Sequence, residues 1–297
     1  MLIFPFKALY DVIRFKIIPD SVFLSLNYKR VHGTRLNLKN PEHLNEKIQW
    51  LKLYDRKKIL TDCADKYKVR TFVKECIGEA YLVPLVYETK YPKTICKEVL
   101  PDFPVIIKTN HNSGGNIIIK NKNQIDYNLL QKQLRRLLRE DFYSTTKEWQ
   151  YKNIERRIIV EKLLIDEKGM LPMDYKFHCF NGKVEFIQLD IDRYTNHKRN
   201  FYDVKWNLLP FTWCPFREGI PIWVNSDREF KAPAQLNRMV EISEKLASKF
   251  ILSRIDLYNF KDKIYFGEIT FHHGSGNEIF RPWEYDRIFG QRLNIRI

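Results

Sequence analysis

Asp256 and Glu268 lie in a segment whose pattern brings two carboxylates together. Residues 254–276 read RIDLYNFKDKIYFGEITFHHGSG. Two apolar, aromatic runs flank a polar Lys-Asp-Lys, the pattern of a β-hairpin. With a three-residue loop at Lys261-Asp262-Lys263, the two acids stand opposite each other across the strands. A two-residue loop shifts the register and sets them diagonal. Like charges opposed on a half-buried sheet repel, and desolvation adds to the cost. A divalent cation between them reverses that penalty: Mg²⁺ takes a few carboxylate oxygens and fills its remaining positions with water and phosphate. The plainer alternative is an exposed edge hairpin with both acids in water.

A second segment suits phosphate. In FPVIIKTNHNSGGNIII (103–119) Lys108 closes an apolar strand ahead of the loop Asn110-His111-Asn112-Ser113-Gly114-Gly115. Glycines let backbone N–H groups turn toward an anion, and the lysine adds charge. An ordinary hairpin with a glycine bulge explains the same pattern. In Asp174-Tyr175-Lys176-Phe177-His178 the polar residues share one face of a strand and the aromatics the other. That polar row lines either a ligand cleft or a solvated face. Glu161 interrupts an apolar run and needs a partner, for which a ligand hydroxyl or amine is one candidate. Arg193, His197 and Arg199 follow the 183–191 strand, where a loop can present them to a carboxylate or phosphate, or simply to water. His272-His273 lacks a third ligand at suitable spacing for a transition metal.

These side chains need a scaffold. A helix opens at Asn40-Pro41-Glu42 and runs to Tyr54, with Leu44, Ile48 and Leu51 on one side. A second follows Thr61-Asp62, carries Tyr67, Val69, Phe72 and Val73, and ends at Gly78. Strand, glycine loop and strand span 104–120. A basic helix covers 124–140 and a buried strand 156–165. A hairpin turns at Asn181-Gly182 within 173–192. The proline-rich, aromatic stretch 209–223 reads as irregular, and a helix over 233–250 precedes the last hairpin. The order is α+β with hairpins, not a run of βαβ units.

The bulk numbers bound the partners. The chain has 297 residues, 44% hydrophobic and 14% aromatic, which excludes a disordered polymer. Its net charge of +15 favours a polyanionic partner, although a basic solvated surface contributes. Basic residues are dispersed and no nucleic-acid-binding signature is present, so nucleic acid is not the expected partner. Five cysteines without C-x-x-C spacing indicate neither disulfides nor a cysteine zinc site, and fit a cytoplasmic location. No uncharged apolar run is long enough to span a membrane. The amino-terminal stretch carries apolar residues at helical spacing, Leu2 to Ile17, with Lys7, Arg14 and Lys16. It packs on the core or lies on an anionic bilayer surface.

Taken in order, LNEKIQWLKLYD (44–55), TDCADKYKVRTFVKECIG (61–78), FPVIIKTNHNSGG (103–115), EWQYKNIERRIIVEKLL (148–164), DYKFHCFNGKVEFIQLDIDRYTNHKRNFYD (174–203) and RIDLYNFKDKIYFGEITFHHGSG (254–276) resemble the ATP-grasp superfamily. They are most similar to its TupA-like members, from teichuronopeptide and surface-polysaccharide biosynthesis. The resemblance implies ATP with Mg²⁺ between two α+β lobes, with a helical amino-terminal extension. It divides the chain into a helical region (1–60), a lobe with the phosphate-covering loop (61–155), and a lobe with the nucleotide hinge and metal hairpin (156–297).

Residue by residue, Lys66 and Lys108 resemble the lysines that hold the nucleotide phosphates. Ser113, Gly114 and Gly115 resemble the covering loop. Glu161 with the Lys162-Leu163 backbone resembles the hinge that reads adenine, and Asp174 and Lys176 would lie near nucleotide or acceptor. Asp256 and Glu268 resemble Mg²⁺ ligands, and Thr270 stands where the superfamily usually has asparagine. Arg254 resembles the arginine that steadies the transferred phosphoryl group, with Arg193 or Arg199 assisting at the oxyanion. The implied activity is ATP-dependent carboxylate–amine ligation on an acidic sugar or amino-acid substrate in the cytoplasm, with room for peripheral contact with the inner face of an anionic membrane or with a glycan-assembly complex. A glycosyltransferase using a nucleotide sugar is the alternative, since acid-plus-metal hairpins serve both.

Overall fold

The computed structural model describes residue 15, residues 17–192 and residues 196–295. The helix expected over 2–17 lies almost wholly outside the described residues, and Arg193 lies outside them. The helical start of the chain comprises α1 (Asp20–His32), α2 (Leu44–Tyr54), α3 (Lys58–Ala64) and α4 (Val69–Ile77). Then come β1 (Leu85–Thr89), β2 (Val105–Thr109), β3 (Ile117–Ile119), α5 (Tyr127–Leu138), α6 (Phe142–Thr146) and β4 (Ile158–Lys162). The remainder holds β5 (Asp174–Phe180), β6 (Lys183–Ile191), β7 (Lys198–Tyr202), β8 (Thr212–Cys214), β9 (Phe216–Arg217), β10 (Ile220–Pro221), α7 (Leu236–Ala247), β11 (Leu252–Phe260), β12 (Lys263–Thr270), β13 (Ile279–Arg281) and α8 (Glu284–Arg292). Two antiparallel sheets dominate: a four-stranded one in the order β1-β4-β2-β3 and a five-stranded one in the order β12-β11-β5-β6-β7. The α+β class is as expected.

The last hairpin reaches the expected pairing by an unexpected route. Its turn has two residues, not three: Lys261 (φ 49°) and Asp262 (φ 60°) link the Phe260–Lys263 pair. Both central residues in the left-handed region suit the twist of a two-residue hairpin. Continued unbroken, that register would set Glu268 opposite Ile255, hence on the other face of the sheet. Instead Leu257 pairs with Phe266 and Asp256 with Glu268, which leaves Gly267 as one extra residue on β12. A Cβ at Gly267 would lie 3.0 Å from the Asp256 carbonyl oxygen and 3.1 Å from the Tyr258 ring, so the bulge favours glycine. The Asn181-Gly182 hairpin repeats the device: a two-residue turn, then a bulge that sets Asp174 opposite Asp190 and Lys176 opposite Gln188.

These registers give the five-stranded sheet two chemically distinct faces over its middle. Tyr175, Phe177, Ile187, Leu189, Ile255 and Leu257 join one core with Met239, Ile242 and Leu246 of α7. The opposite face carries Asp174, Lys176, His178 and Asp256, all nearly inaccessible. Each large apolar side chain so buried contributes about 1.5–3 kcal/mol, which holds the sheet while the other face carries charge. The four-stranded sheet packs Val105, Ile107, Ile158 and Val160 against Leu130 and Leu134 of α5. Asp126 caps that helix by accepting from the Leu129 N–H at 3.0 Å.

Element boundaries depart from the sequence expectations in several places, three of them with a local physical cause. The first helix begins at Leu44, because Glu46 folds back to accept from the N–H groups of Glu42 and His43 (2.9 and 3.1 Å) and holds residues 40–43 outside it. The helix expected after Thr61 is two, broken at Asp65. Its carboxylate accepts from the N–H groups of Tyr67 and Lys68 and from the Asn110 amide. The stretch 209–223 is not wholly irregular, since β8 pairs with β13.

Helix α2 fastens the start of the chain to its end. Lys47 Nζ donates to the carbonyls of Gly290 and Leu293 at 2.7 Å. A Cβ at Gly290 would lie 2.0 Å from the Glu42 carbonyl oxygen. Gly290→Ala is therefore expected to cost about 3 kcal/mol in urea unfolding, at the upper end for overpacking. Lys52, 2% exposed, donates to Gln49 Oε1 at 3.1 Å and to the Ser275 carbonyl at 2.7 Å. Burial pulls its ammonium down to about 8, with the Glu148 charge opposing only in part. The unfolded chain holds that proton to about 10.4, so between these values stability rises with pH. Wild type is expected to gain on Lys52→Met by on the order of 3 kcal/mol from pH 8 to 10.5. Urea unfolding at each pH checks this; a flat difference would show that the amine stays charged.

Candidate active site

The two sheets face an open cleft whose empty space, the solvent at its mouth included, is about 740 Å³. Lys108, Ser113, Gly114, Asn116 and Glu161 line it from the four-stranded side. Asp174, Asp256, Tyr258, Gly267 and Glu268 line it from the five-stranded side, and Lys66 and Arg70 from the α3–α4 elbow and α4. Eight residues singled out in the sequence therefore meet in one space, although they span some two hundred positions.

The elbow at Asp65 aims Lys66 at the glycine loop, where its amine donates to the Asn112 carbonyl. Burial lowers the pKa of Lys66, Glu268 opposes that, and Lys108 adds to it. The base of the loop is clamped. Asn110 bridges Asp65 (2.7 Å), the Glu155 carbonyl (2.9 Å) and the Arg157 N–H (2.6 Å), while the Asn112 amide donates to Glu140 at 2.8 Å. Beyond it, Ser113, Gly114, Gly115 and Asn116 are exposed. Gly114 (φ 83°) and Gly115 (φ 70°) are left-handed, and a Cβ at Gly115 would lie 2.7 Å from Leu137 Cδ2. An exposed, glycine-built loop on a fixed base, flanked by lysines, can present N–H groups to phosphate.

Asp256 and Glu268 face each other as pairing requires, and Arg254 lies between them. Its Nε and Nη2 donate to the two oxygens of Asp256 at 2.7 Å, and Nη2 also reaches Glu268 Oε1 at 3.1 Å. Beneath them Lys176 donates to Asp256 Oδ2 at 2.9 Å, contacts Asp174, and lies 3.6 Å from Asp190. Burial opposes ionisation of Asp256, but Arg254 and Lys176 outweigh it and hold the pKa below the ordinary value. The balance for Asp190 is the same, through Lys176, His197 and Arg199. The contacts continue from Arg254 Nη1 to His273 Nδ1 (2.6 Å), from His273 Nε2 to Glu278 (2.9 Å), from Glu278 to Arg199 (2.7 Å), and from Arg199 Nε to Asp190 (3.2 Å). Asp190 closes a ring through Lys176. Five carboxylates (Asp174, Asp190, Asp256, Glu268 and Glu278) meet three permanent cations (Lys176, Arg199 and Arg254). That surplus and its hard oxygen donors fit a divalent cation at the partly exposed Glu268 end.

Several residues have partners or positions other than those expected. Glu161 finds protein partners, Lys108 Nζ and Arg70 Nη1, each at 2.9 Å, rather than waiting for a ligand. Lys162 is exposed over the Phe103 ring, and the Leu163 N–H donates to the Pro104 carbonyl, so that donor is not offered to the cleft. Thr270 Oγ1 lies 3.4 Å from Glu268 Oε1, outside the cleft lining. Arg199 sits within β7 and is 7% exposed, in the ring rather than on a presenting loop. His272 and His273 diverge: His272 Nδ1 meets Gln150 at 3.1 Å and Glu148 at 3.6 Å. Among the described residues no cluster of three or more His, Cys, Asp or Glu is arranged to hold a metal by itself.

Sequence reasoning missed Arg70, Asp190 and Glu278. Asp190 had a signal, since it continues the polar alternation of β6 through Gln188. Arg70 and Glu278 had none.

A model of the TupA-like ATP-grasp family matches residues 46–294. The chain belongs to the TupA-like ATP-grasp family. No curated protein matches it by sequence. Among solved structures, this TupA-like chain is similar to D-alanine–D-alanine ligase from Bacillus anthracis complexed with ATP (15% identity, TM-score 0.40, covering 72% of this chain and 55% of that one). It is also similar to the Helicobacter pylori D-alanine–D-alanine ligase (14%, 0.44, 86% and 70%) and to the ATP-grasp ligase PsnB complexed with minimal precursor (8%, 0.40, 76% and 60%). The TupA-like chain thus spans little more than half the length of the Bacillus enzyme. Among its described residues no helix is long and apolar enough to cross a membrane.

Proposed function

We propose that this TupA-like ATP-grasp protein is an ATP-dependent carboxylate–amine ligase acting on an acidic sugar or amino-acid-bearing precursor of a surface polysaccharide. One observation carries the reading: Lys66, Lys108 and the Ser113–Gly114 loop share a single cleft with Asp256 and Glu268. Cations and loop N–H groups suit the phosphates of ATP, and the two acids suit the metal that accompanies them. In this reading residues 61–155 and 156–297 supply the two sides of the nucleotide site.

A substrate carboxylate oxygen attacks the γ-phosphorus and ADP leaves, giving an acyl phosphate. An amine then attacks the acyl carbon, forming the amide and releasing phosphate. Bound at Asp256 and Glu268, Mg²⁺ would offset charge on the transferring oxygens. Lys66 and Lys108 hold phosphate oxygens, and Arg254 faces the charge that develops at the acyl centre. No protein nucleophile is needed. The net charge of +15 suits an acidic acceptor.

The test is ADP and phosphate release with Mg·ATP across a panel of uronic acids and amino acids, paired with candidate amines. Stoichiometric ADP, phosphate and amide support the reading. Hydrolysis of a UDP- or GDP-sugar with no ATP consumption would replace it with glycosyl transfer.

A further inference from the structure

In this structure Arg254 occupies the gap between the two acids assigned to the metal. Both oxygens of Asp256 accept from it, and Glu268 accepts a third contact. A dication arriving there competes for the same lone pairs and repels the guanidinium. Arg254 then keeps one described contact on a different atom, Nη1 to His273 Nδ1 at 2.6 Å.

That contact is built rather than incidental. The Nε2 side of His273 meets Glu278 at 2.9 Å, so Nε2 carries the proton and Nδ1 presents its lone pair to the arginine. Glu278 is anchored by Arg199 at 2.7 Å. The imidazole is 4% exposed, and the Trp213 and His178 rings lie 4.3 and 4.9 Å from it. The turn after β12 is shaped around Glu278: a Cβ at Gly274 would lie 2.4 Å from Glu278 Cγ. A neutral acceptor suits the task, since it holds a cation without becoming a competing anionic ligand for the metal.

We propose that His273, oriented by Glu278, is a positioning residue that keeps Arg254 at the cleft when a divalent cation takes over Asp256 and Glu268. The inference rests on the nucleotide-site reading above. It adds an exchange: Arg254 neutralises the acids in the metal-free protein and passes to His273 alone in the loaded one.

The test follows the Arg254 guanidinium by ¹⁵N NMR in full-length protein labelled at arginine, with Mg·ADP as the probe. Arg254→Lys identifies the signals, and calorimetry reports Mg·ADP binding. In wild type, separate Nη1 and Nη2 signals are expected with and without Mg·ADP, because rotation stays hindered. His273→Asn, which keeps an acceptor near the Nδ1 position, is expected to behave likewise. In His273→Leu the signals stay separate without Mg·ADP and merge with it, rotation quickening about 10-fold or more, the equivalent of one hydrogen bond to a charged group. Averaging in both states would mark His273 as merely structural, and separate signals in both would show that other contacts hold Arg254; either overturns the proposal. Should His273→Leu not fold, wild type decides alone, since merging of its own Nη signals on Mg·ADP binding overturns the tether. Absence of Mg·ADP binding by wild type removes the nucleotide-site reading and the exchange with it.

Discussion

Glu268→Gln is expected to lower Mg·ATP turnover by about 10²–10³-fold, the usual effect of removing one preorganised electrostatic group from a reacting centre, while leaving the fold intact. The substitution keeps the size and one carbonyl oxygen of the side chain but removes its charge. Glu268 suits the experiment because its side chain is 41% exposed and, among the described residues, its one ion pair is with Arg254, at 3.1 Å. Arg254 retains both oxygens of Asp256 and His273, and the buried Lys66, which loses the favourable Glu268 charge, keeps its bond to the Asn112 carbonyl. Melting should stay within about 2 °C of wild type, as for a surface change. The concentration of Mg²⁺ needed for half-maximal turnover should rise. Unchanged turnover at saturating Mg·ATP would remove Glu268 from the metal site, whatever the fate of the fold.

Lys176→Met should do the reverse and strike stability first. Lys176 is 3% exposed on β5, with its amine among Asp174, Asp190 and Asp256. Burial disfavours its charge, but the three aspartates more than offset that and raise its pKa. Methionine matches the volume and removes the cation, leaving three buried carboxylates to repel one another. Breaking a buried pair in this way costs about 3–5 kcal/mol, or roughly 10 °C in melting temperature for a chain of this size. Mg²⁺ with ADP should restore more stability to the variant than to wild type, because the dication supplies positive charge beside Asp256. Equal gains in the two proteins would show that the surplus of carboxylates does not govern metal binding. Urea unfolding with and without Mg·ADP distinguishes the cases.

Features read correctly from the chain were local ones. Polar–apolar alternation in Asp174–His178 assigned Tyr175 and Phe177 to the core and Asp174, Lys176 and His178 to the opposite face, and the packing agrees. Asn181-Gly182 marked a turn because both positions require left-handed backbone, which asparagine and glycine tolerate. Helix boundaries were less legible. The break at Asp65 depends on Asn110, 45 residues away, accepting a place beside its carboxylate.

Spacing within single segments was enough for the hairpins, and the resemblance of six segments in order implied the family and which lysines and acids share a cleft. Folding in three dimensions settled the pairing of Asp256 with Glu268. The two-residue turn alone would have separated them onto opposite faces, and Gly267 restores the match by taking up one extra residue. It also settled that Arg254 lies between those acids and that His273, Glu278 and Arg199 close a ring behind it. Lys176 and Asp256 are 80 positions apart, and Arg199 and Glu278 are 79. Ion pairs of that span leave no periodic trace in a chain, because Coulomb attraction depends on distance in space and is indifferent to separation along the backbone.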